Sequence, residues 1–181
     1  LLPSAPIQLL TSGPPLDAWL WLAMTEGLWV FNEGAVYAVE PEEISTGGAA
    51  IAFGAPVDGV PSLWGVNGSG TWALSPSDDV LNLSAIREEL SGTSIAADAL
   101  ETLWVVDDMG DLHERSADGA WSWWRLPEPV ARVDASEQNG GLWLSVGDDL
   151  WFHYGEGYGP LETAISGEFM GVDSDGRALV V

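Results

Sequence analysis

The chain has 181 residues, enough for one sizeable hydrophobic core, and its 46% apolar content is ordinary for a globular protein. Five Arg and no Lys stand against 28 Asp and Glu, a formal net charge of −23. Without a basic stripe there are no counterions to release from a phosphate backbone, and an anionic bilayer surface repels the chain, so nucleic acid and membrane insertion are excluded as partners.

In chain order, residues 1–15 read as a linker or the remnant of a preceding repeat, being rich in Pro, Ser and Gly. The first long apolar run, Ala18–Met24, is far short of a membrane span and reads as a strand. A Leu-Trp pair then recurs as Leu28-Trp29, Leu63-Trp64, Leu103-Trp104 and Leu142-Trp143, with a weaker copy at Ala178-Leu179. An aspartate stands five residues before the pair at Asp58, Asp98 and Asp173. In the fourth copy it reads as Asp134, behind an insertion, and in the first copy Ala23 takes its place. A turn and a second apolar stretch follow each pair: Val36-Tyr37, Thr71-Trp72, Leu112-His113 and Leu150-Trp151. A last strand closes each unit, at Ala49–Phe53, Val80–Leu83, Trp121–Arg125 and Leu161–Ile165. The one helix signal is Ser84–Leu90, a turn or two with Ser84 as N-cap.

Four short strands in each stretch of about 40–45 residues describe the blade of a β-propeller. The expected fold class is therefore all-β: four blades of four antiparallel strands over residues 16–181, plus the start of a fifth, as part of a larger propeller. Blades pack on both faces, so their middle strands should be continuously apolar, as Leu103-Trp104-Val105-Val106 is. Trp29, Trp64, Trp104 and Trp143 are expected on equivalent second strands, buried between blades as wedges.

Few residues carry a chemical signal. No G-x-S-x-G elbow is present, and the two histidines, His113 and His153, fall at different places in the repeat. Gly155–Gly159 is glycine-rich, but no helix signal follows it to make a phosphate cradle. No catalytic or cofactor-binding set is assigned. There is no Cys, hence no disulfide framework and no thiolate metal site. Asn67 and Asn82 head N-x-S sequons. The carboxylates Asp107, Asp108, Asp111, Asp148 and Asp149 fall in the loop between second and third strands of adjacent blades. Oxygen ligands in that number suit Ca²⁺ or the hydroxyls of a sugar, so this loop face is the candidate metal or polyol site. Asp173 belongs to the opposite-face turn, where an Asp side chain bonds its own backbone.

The aspartate turn before Leu-Trp, together with Gly147-Asp-Asp-Leu-Trp-Phe-His-Tyr154, resembles the blades of bacterial propellers of the two-component-regulator and streptogramin-lyase-like groups. Leu63–Trp72 is also similar to tectonin-type lectin repeats. The resemblance implies a non-enzymatic, sensor-type domain of a bacterial envelope or secreted protein, extracellular or periplasmic, that binds a carbohydrate or protein ligand. Its alternatives are a lectin, a structural spacer, or a propeller lyase or glycosidase with part of its site in further blades.

Overall fold

The computed structural model describes residues 7–11, 20–32, 35–39, 45–57, 60–75, 84–98, 101–135, 141–154, 160–173 and 175–181. Among them every element is a β-strand. The chain divides into two compact units, residues 1–91 and 92–181.

Unit 1 holds two four-stranded antiparallel sheets. The first contains β1 (Ile7–Thr11), β2 (Leu20–Met24), β3 (Gly27–Asn32) and β4 (Ala35–Val39); the second contains β5 (Ala50–Val57), β6 (Val60–Asn67), β7 (Gly70–Ser75) and β8 (Ser84–Glu88). Each sheet runs in sequence order, an antiparallel meander. One apolar cluster holds the two sheets together, including Trp21, Leu28, Val30, Ile51, Phe53, Leu63 and Trp72.

Unit 2 repeats the pattern. β9 (Gly92–Ala97), β10 (Leu103–Asp107), β11 (Leu112–Arg115) and β12 (Trp121–Trp124) form one sheet. β13 (Val130–Ala135), β14 (Gly141–Val146), β15 (Asp149–Tyr154) and β16 (Leu161–Ser166) form the next. β17 (Phe169–Val172) and β18 (Ala178–Val180) make a two-stranded hairpin. The core gathers Trp104, Val106, Leu112, Val133, Leu142, Leu144 and Val146. Residues Leu103–Val106 of β10 are all buried, as a strand covered on both faces requires. The first strands of successive blades are tied by side chain to backbone. Ser94 Oγ accepts from Val133 N at 3.1 Å and donates to Val133 O at 3.4 Å, and Asp134 Oδ2 accepts from Val172 N at 2.9 Å.

Several expectations need correction. Part of the stretch read as a linker or the remnant of a preceding repeat, Ile7–Thr11, is β1, bonded to β2. Trp29 lies on β3, a third strand, opposite Leu22, whereas Trp64, Trp104 and Trp143 lie on second strands. The true first copy is Leu20-Trp21: Trp21 pairs with Val30 as Trp64 pairs with Ala73 and Trp104 with Glu114. Blade 1 carries Leu-Trp twice, on both arms of the Thr25-Glu26 hairpin, and only the hydrogen bonding selects one. The same slip displaces the neighbouring readings. Val36-Tyr37 falls on β4, and Ala49–Phe53 opens the second sheet as β5 instead of closing the first. The helix expected at Ser84–Leu90 is β8, which pairs with β7 from Thr71↔Glu88 to Ser75↔Ser84. A ladder along β7 offers more hydrogen bonds than one isolated turn of helix. Val80–Leu83, Asp58, Asn82 and Gly155–Gly159 lie outside the described residues.

Burial follows the corrected register in three of the four sheets, and Trp143, though on a second strand, departs from it. Trp21, Trp64 and Trp104 are buried, whereas Trp29 and Trp143 are half-buried. Asp98 explains the recurrent aspartate. Its Oδ1 accepts from Thr102 N at 3.1 Å, closing the turn, and its Oδ2 accepts from the buried Trp104 indole N–H at 3.0 Å. Asp173 Oδ1 likewise accepts from Asp175 and Arg177 N–H at 3.0 and 2.8 Å, as its turn role requires. Asp134 is not that aspartate. It sits on β13 opposite Trp143, the place Ala96 holds opposite Trp104. Burial there raises its carboxyl above the usual value, and the N–H groups of Val172 and Ala135 and the charge of Arg132 only partly offset this. A carboxyl raised in the folded state favours folding below its unfolded value, near 3.8, and loses that contribution as pH rises through the folded value. Unit 2 should therefore lose stability over that rise relative to Asp134→Asn, which carries no charge. Urea unfolding across the acid range checks this, and parallel profiles would refute it.

Candidate functional site

The loops between second and third strands, and the loops leading into the next blade, meet on one face of each unit. In unit 2 the β10–β11 hairpin begins with Asp107, whose Oδ1 accepts from Met109 and Asp111 N–H at 2.8 and 2.9 Å. Its Oδ2 lies 2.9 Å from His113 Nε2. Burial opposes ionisation of Asp107, but the His113 contact and these backbone donors outweigh it and hold its carboxyl below the usual value. Asp111 takes a forked contact from Arg125, Nε at 3.2 Å and Nη2 at 2.7 Å, which lowers its carboxyl in turn. The Arg125 guanidinium lies 5.3 Å from the ring centre of Trp123, which is 58% exposed on β12.

The incoming loops pack directly onto these hairpins. Val130 N donates to Gly110 O at 2.9 Å, and Gly167 N donates to Asp148 O at 3.2 Å. Unit 1 repeats the contact, with Gly48 N donating to Met24 O at 2.9 Å. Gly110 has φ +82°, and a Cβ there would sit 2.5 Å from Pro129 Cβ, so both backbone and space demand glycine. Asn67 belongs to the same system. It is buried, its amide donates to Ser45 O and Gly47 O at 2.8 and 3.2 Å, and its Oδ1 accepts from Ser69 N. An asparagine so engaged is a loop clamp and not a glycan acceptor.

Beside the β14–β15 hairpin opens a cleft of about 430 Å³, lined by Arg132, Ser145, Asp148, Glu168 and Phe169 among others. Arg132, Asp148 and Glu168 are exposed, and Phe169 is buried. The Arg132 guanidinium carbon lies 5.9 Å from the Phe169 ring centre, a cation–π distance. Arg125 and Arg177 are ion-paired, with Asp111 and Asp175. No ion pair of Arg132 occurs among the described residues.

The five carboxylates read from the sequence do share this face, on the β10–β11 and β14–β15 hairpins. Asp107 and Asp111 come together, but each is engaged by a neighbouring side chain. Asp148 instead lines the cleft. Among the described residues no three His, Asp or Glu gather as a metal-holding group. The histidines stay apart in role, as their repeat positions predict. His113 sits with Asp107, and His153 is buried with its ring centre 4.9 Å from that of Trp104, edge to face. Sequence reading missed Arg132 and Phe169. The signal available for Arg132 was an arginine within an acidic chain, in the strand after Pro129.

No protein-family model and no curated protein sequence matches the chain. Solved structures do. A virginiamycin B lyase from Staphylococcus aureus with quinupristin is similar at TM-score 0.68 and 14% identity, over 97% of this chain and 62% of the lyase. A streptogramin B lyase is similar at TM-score 0.68 and 16% identity, over 98% of this chain and 62% of that one. The extracellular domain of a putative hybrid two-component system from B. thetaiotaomicron is similar at TM-score 0.56 and 11% identity, over 84% of this chain and 21% of that one. The chain thus spans about 62% of the length of the lyases it matches. At these identities the likeness establishes the fold alone, which is a β-propeller fold.

Proposed function

We propose that this chain is a non-enzymatic binding domain, of the sensor type, which receives its ligand on the loop face of unit 2. The observation that carries the reading is the cleft at Arg132, where a cationic and two anionic side chains face an open space beside a buried ring. A rigid ladder of strands holds it, which suits a preformed pocket. His113, tied to Asp107, and His153, packed on Trp104, have structural partners. The likeness to the extracellular domain of a two-component system supports an extracellular or periplasmic location in a bacterium.

An exposed Trp123 beside Arg125 favours a second reading, a lectin that stacks a sugar on that ring. The carboxylates Asp107, Asp108, Asp111, Asp148 and Asp149 then serve as an acidic rim that draws Ca²⁺ weakly, on the order of 10⁻³ M, because Asp107, Asp108 and Asp111 already have partners.

A small-molecule screen by thermal shift, with calcium present and absent, tests the proposal. The expected result is a ligand that raises Tm and is recovered chemically unchanged after long incubation. Its conversion to product would overturn the non-enzymatic reading. Ligands whose shift disappears in a Trp123→Ala variant would favour the lectin.

A further inference from the structure

We infer that the cleft of unit 2 binds a zwitterionic amino compound of amino-acid size, its carboxylate on Arg132 and its ammonium between Asp148 and Glu168. This deepens the binding reading above and rests on it. Three features lead to the ligand class. First, Arg132 is an exposed guanidinium in a chain with 28 acidic residues; it makes no direct ion pair among the described residues, and Asp134, whose carboxyl its charge helps to lower against the effect of burial, is already engaged by the N–H groups of Val172 and Ala135. Its packing over Phe169 orients the planar fork, which matches a carboxylate with two parallel hydrogen bonds.

Second, Asp148 and Glu168 line the same cleft and offer acceptors only when ionised. A phosphate or another multiply charged anion would meet these two carboxylates with no second cation to offset them. A neutral sugar would hydrogen-bond to the carboxylates and the guanidinium but leave every charge in the cleft without an opposite charge. A species with one carboxylate and one ammonium offers a partner to the guanidinium and to the carboxylates alike.

Third, the net charge of −23 repels any ligand that is anionic overall, whereas a zwitterion is neutral. The cleft, about 430 Å³, has room for an α-amino acid with its side chain, and Phe169 supplies an apolar stretch of wall. Ser145, also lining the cleft, adds a hydroxyl that can both donate and accept.

The test is saturation-transfer NMR on the whole chain with a pool of the common α-amino acids at neutral pH and low salt. At least one should receive saturation. For the strongest responder, the carboxamide and the N-acetyl derivative should each bind at least tenfold more weakly, because each removes one charge. Arg132→Ala should abolish the response and Arg132→Lys should weaken it, since a point charge cannot replace the fork. Both variants are expected to keep a cooperative melting transition, because Arg132 is exposed. Should Arg132→Ala fail to fold, Glu168→Gln gives the complementary result, a selective loss for the ligand that carries an ammonium. The inference fails if no amino acid receives saturation, if the blocked derivatives bind as well as the parent, or if the variants bind like wild type. Binding of some other intact ligand would then leave the wider reading standing. Binding followed by turnover of an amino acid would keep the cleft and overturn that reading.

Discussion

Trp104→Ala is expected to cost unit 2 roughly 3–5 kcal/mol, read as a lower urea midpoint with an unchanged slope. The ring is 1% exposed and sits in the unit's apolar cluster, so its removal leaves a cavity. It also carries the edge-to-face contact with His153 and the indole hydrogen bond to Asp98 Oδ2. Truncation therefore leaves a buried carboxylate oxygen without its donor, which adds to the cavity cost. Trp104→Phe separates the two contributions. It keeps most of the apolar area, removes the N–H, and should lose about 1–3 kcal/mol. Trp143→Ala is the comparison, since Trp143 is only half-buried and its indole donates to Gly176 O at 2.9 Å, outside the core. Its midpoint should fall clearly less. Equal shifts for the two alanine variants would show that the second-strand tryptophans are not graded by burial.

Gly65→Ala is the second large effect, and it arises from a single methyl group. A Cβ at Gly65 would lie 2.1 Å from the Trp72 ring, far inside contact distance. Trp72 is 2% exposed within the unit 1 cluster and has no room to swing aside. The expected loss is about 1–3 kcal/mol, with a change in near-ultraviolet circular dichroism as the indole is displaced. The register explains why glycine stands here. Trp72 crosses from Gly65, where the equivalent pairs in other blades are Leu22 with Trp29, Val105 with His113, and Leu144 with Trp151. In this blade alone of the four the largest side chain lies flat against a bare backbone. The double variant Gly65→Ala/Trp72→Leu should be less destabilised than the sum of its parts, because the smaller side chain vacates the space the methyl needs. Simple additivity would mean that the two positions do not share that space.

Two kinds of information separate cleanly in this chain. The sequence by itself determined what is local. The Leu-Trp period, the aspartate turn and the apolar runs specified hairpins such as β10–β11 and β14–β15, whose strands are joined by a few residues. Their pairing depends on alternation and turn chemistry that a reader can see along the chain. The all-β class, the blade count through the fifth hairpin and the shared loop face of Asp107 and Asp148 follow from the same signals.

Only the tertiary structure decided what depends on a neighbour distant in sequence. Leu20-Trp21 and Leu28-Trp29 are equivalent in sequence, and strand pairing distinguishes them, with Trp21 buried and Trp29 half-buried. Ser84–Glu88 carries a helix cap but extends because β7 offers it a ladder. Asp134 leaves the turn class because its carboxylate reaches Val172, 38 residues on. Arg132 acquires a role only when Phe169, Asp148 and Glu168 are brought beside it. The physical reason is one of range. Hydrogen-bonded turns are fixed by adjacent residues, whereas the contacts between blades and the cleft they enclose are fixed by which faces meet.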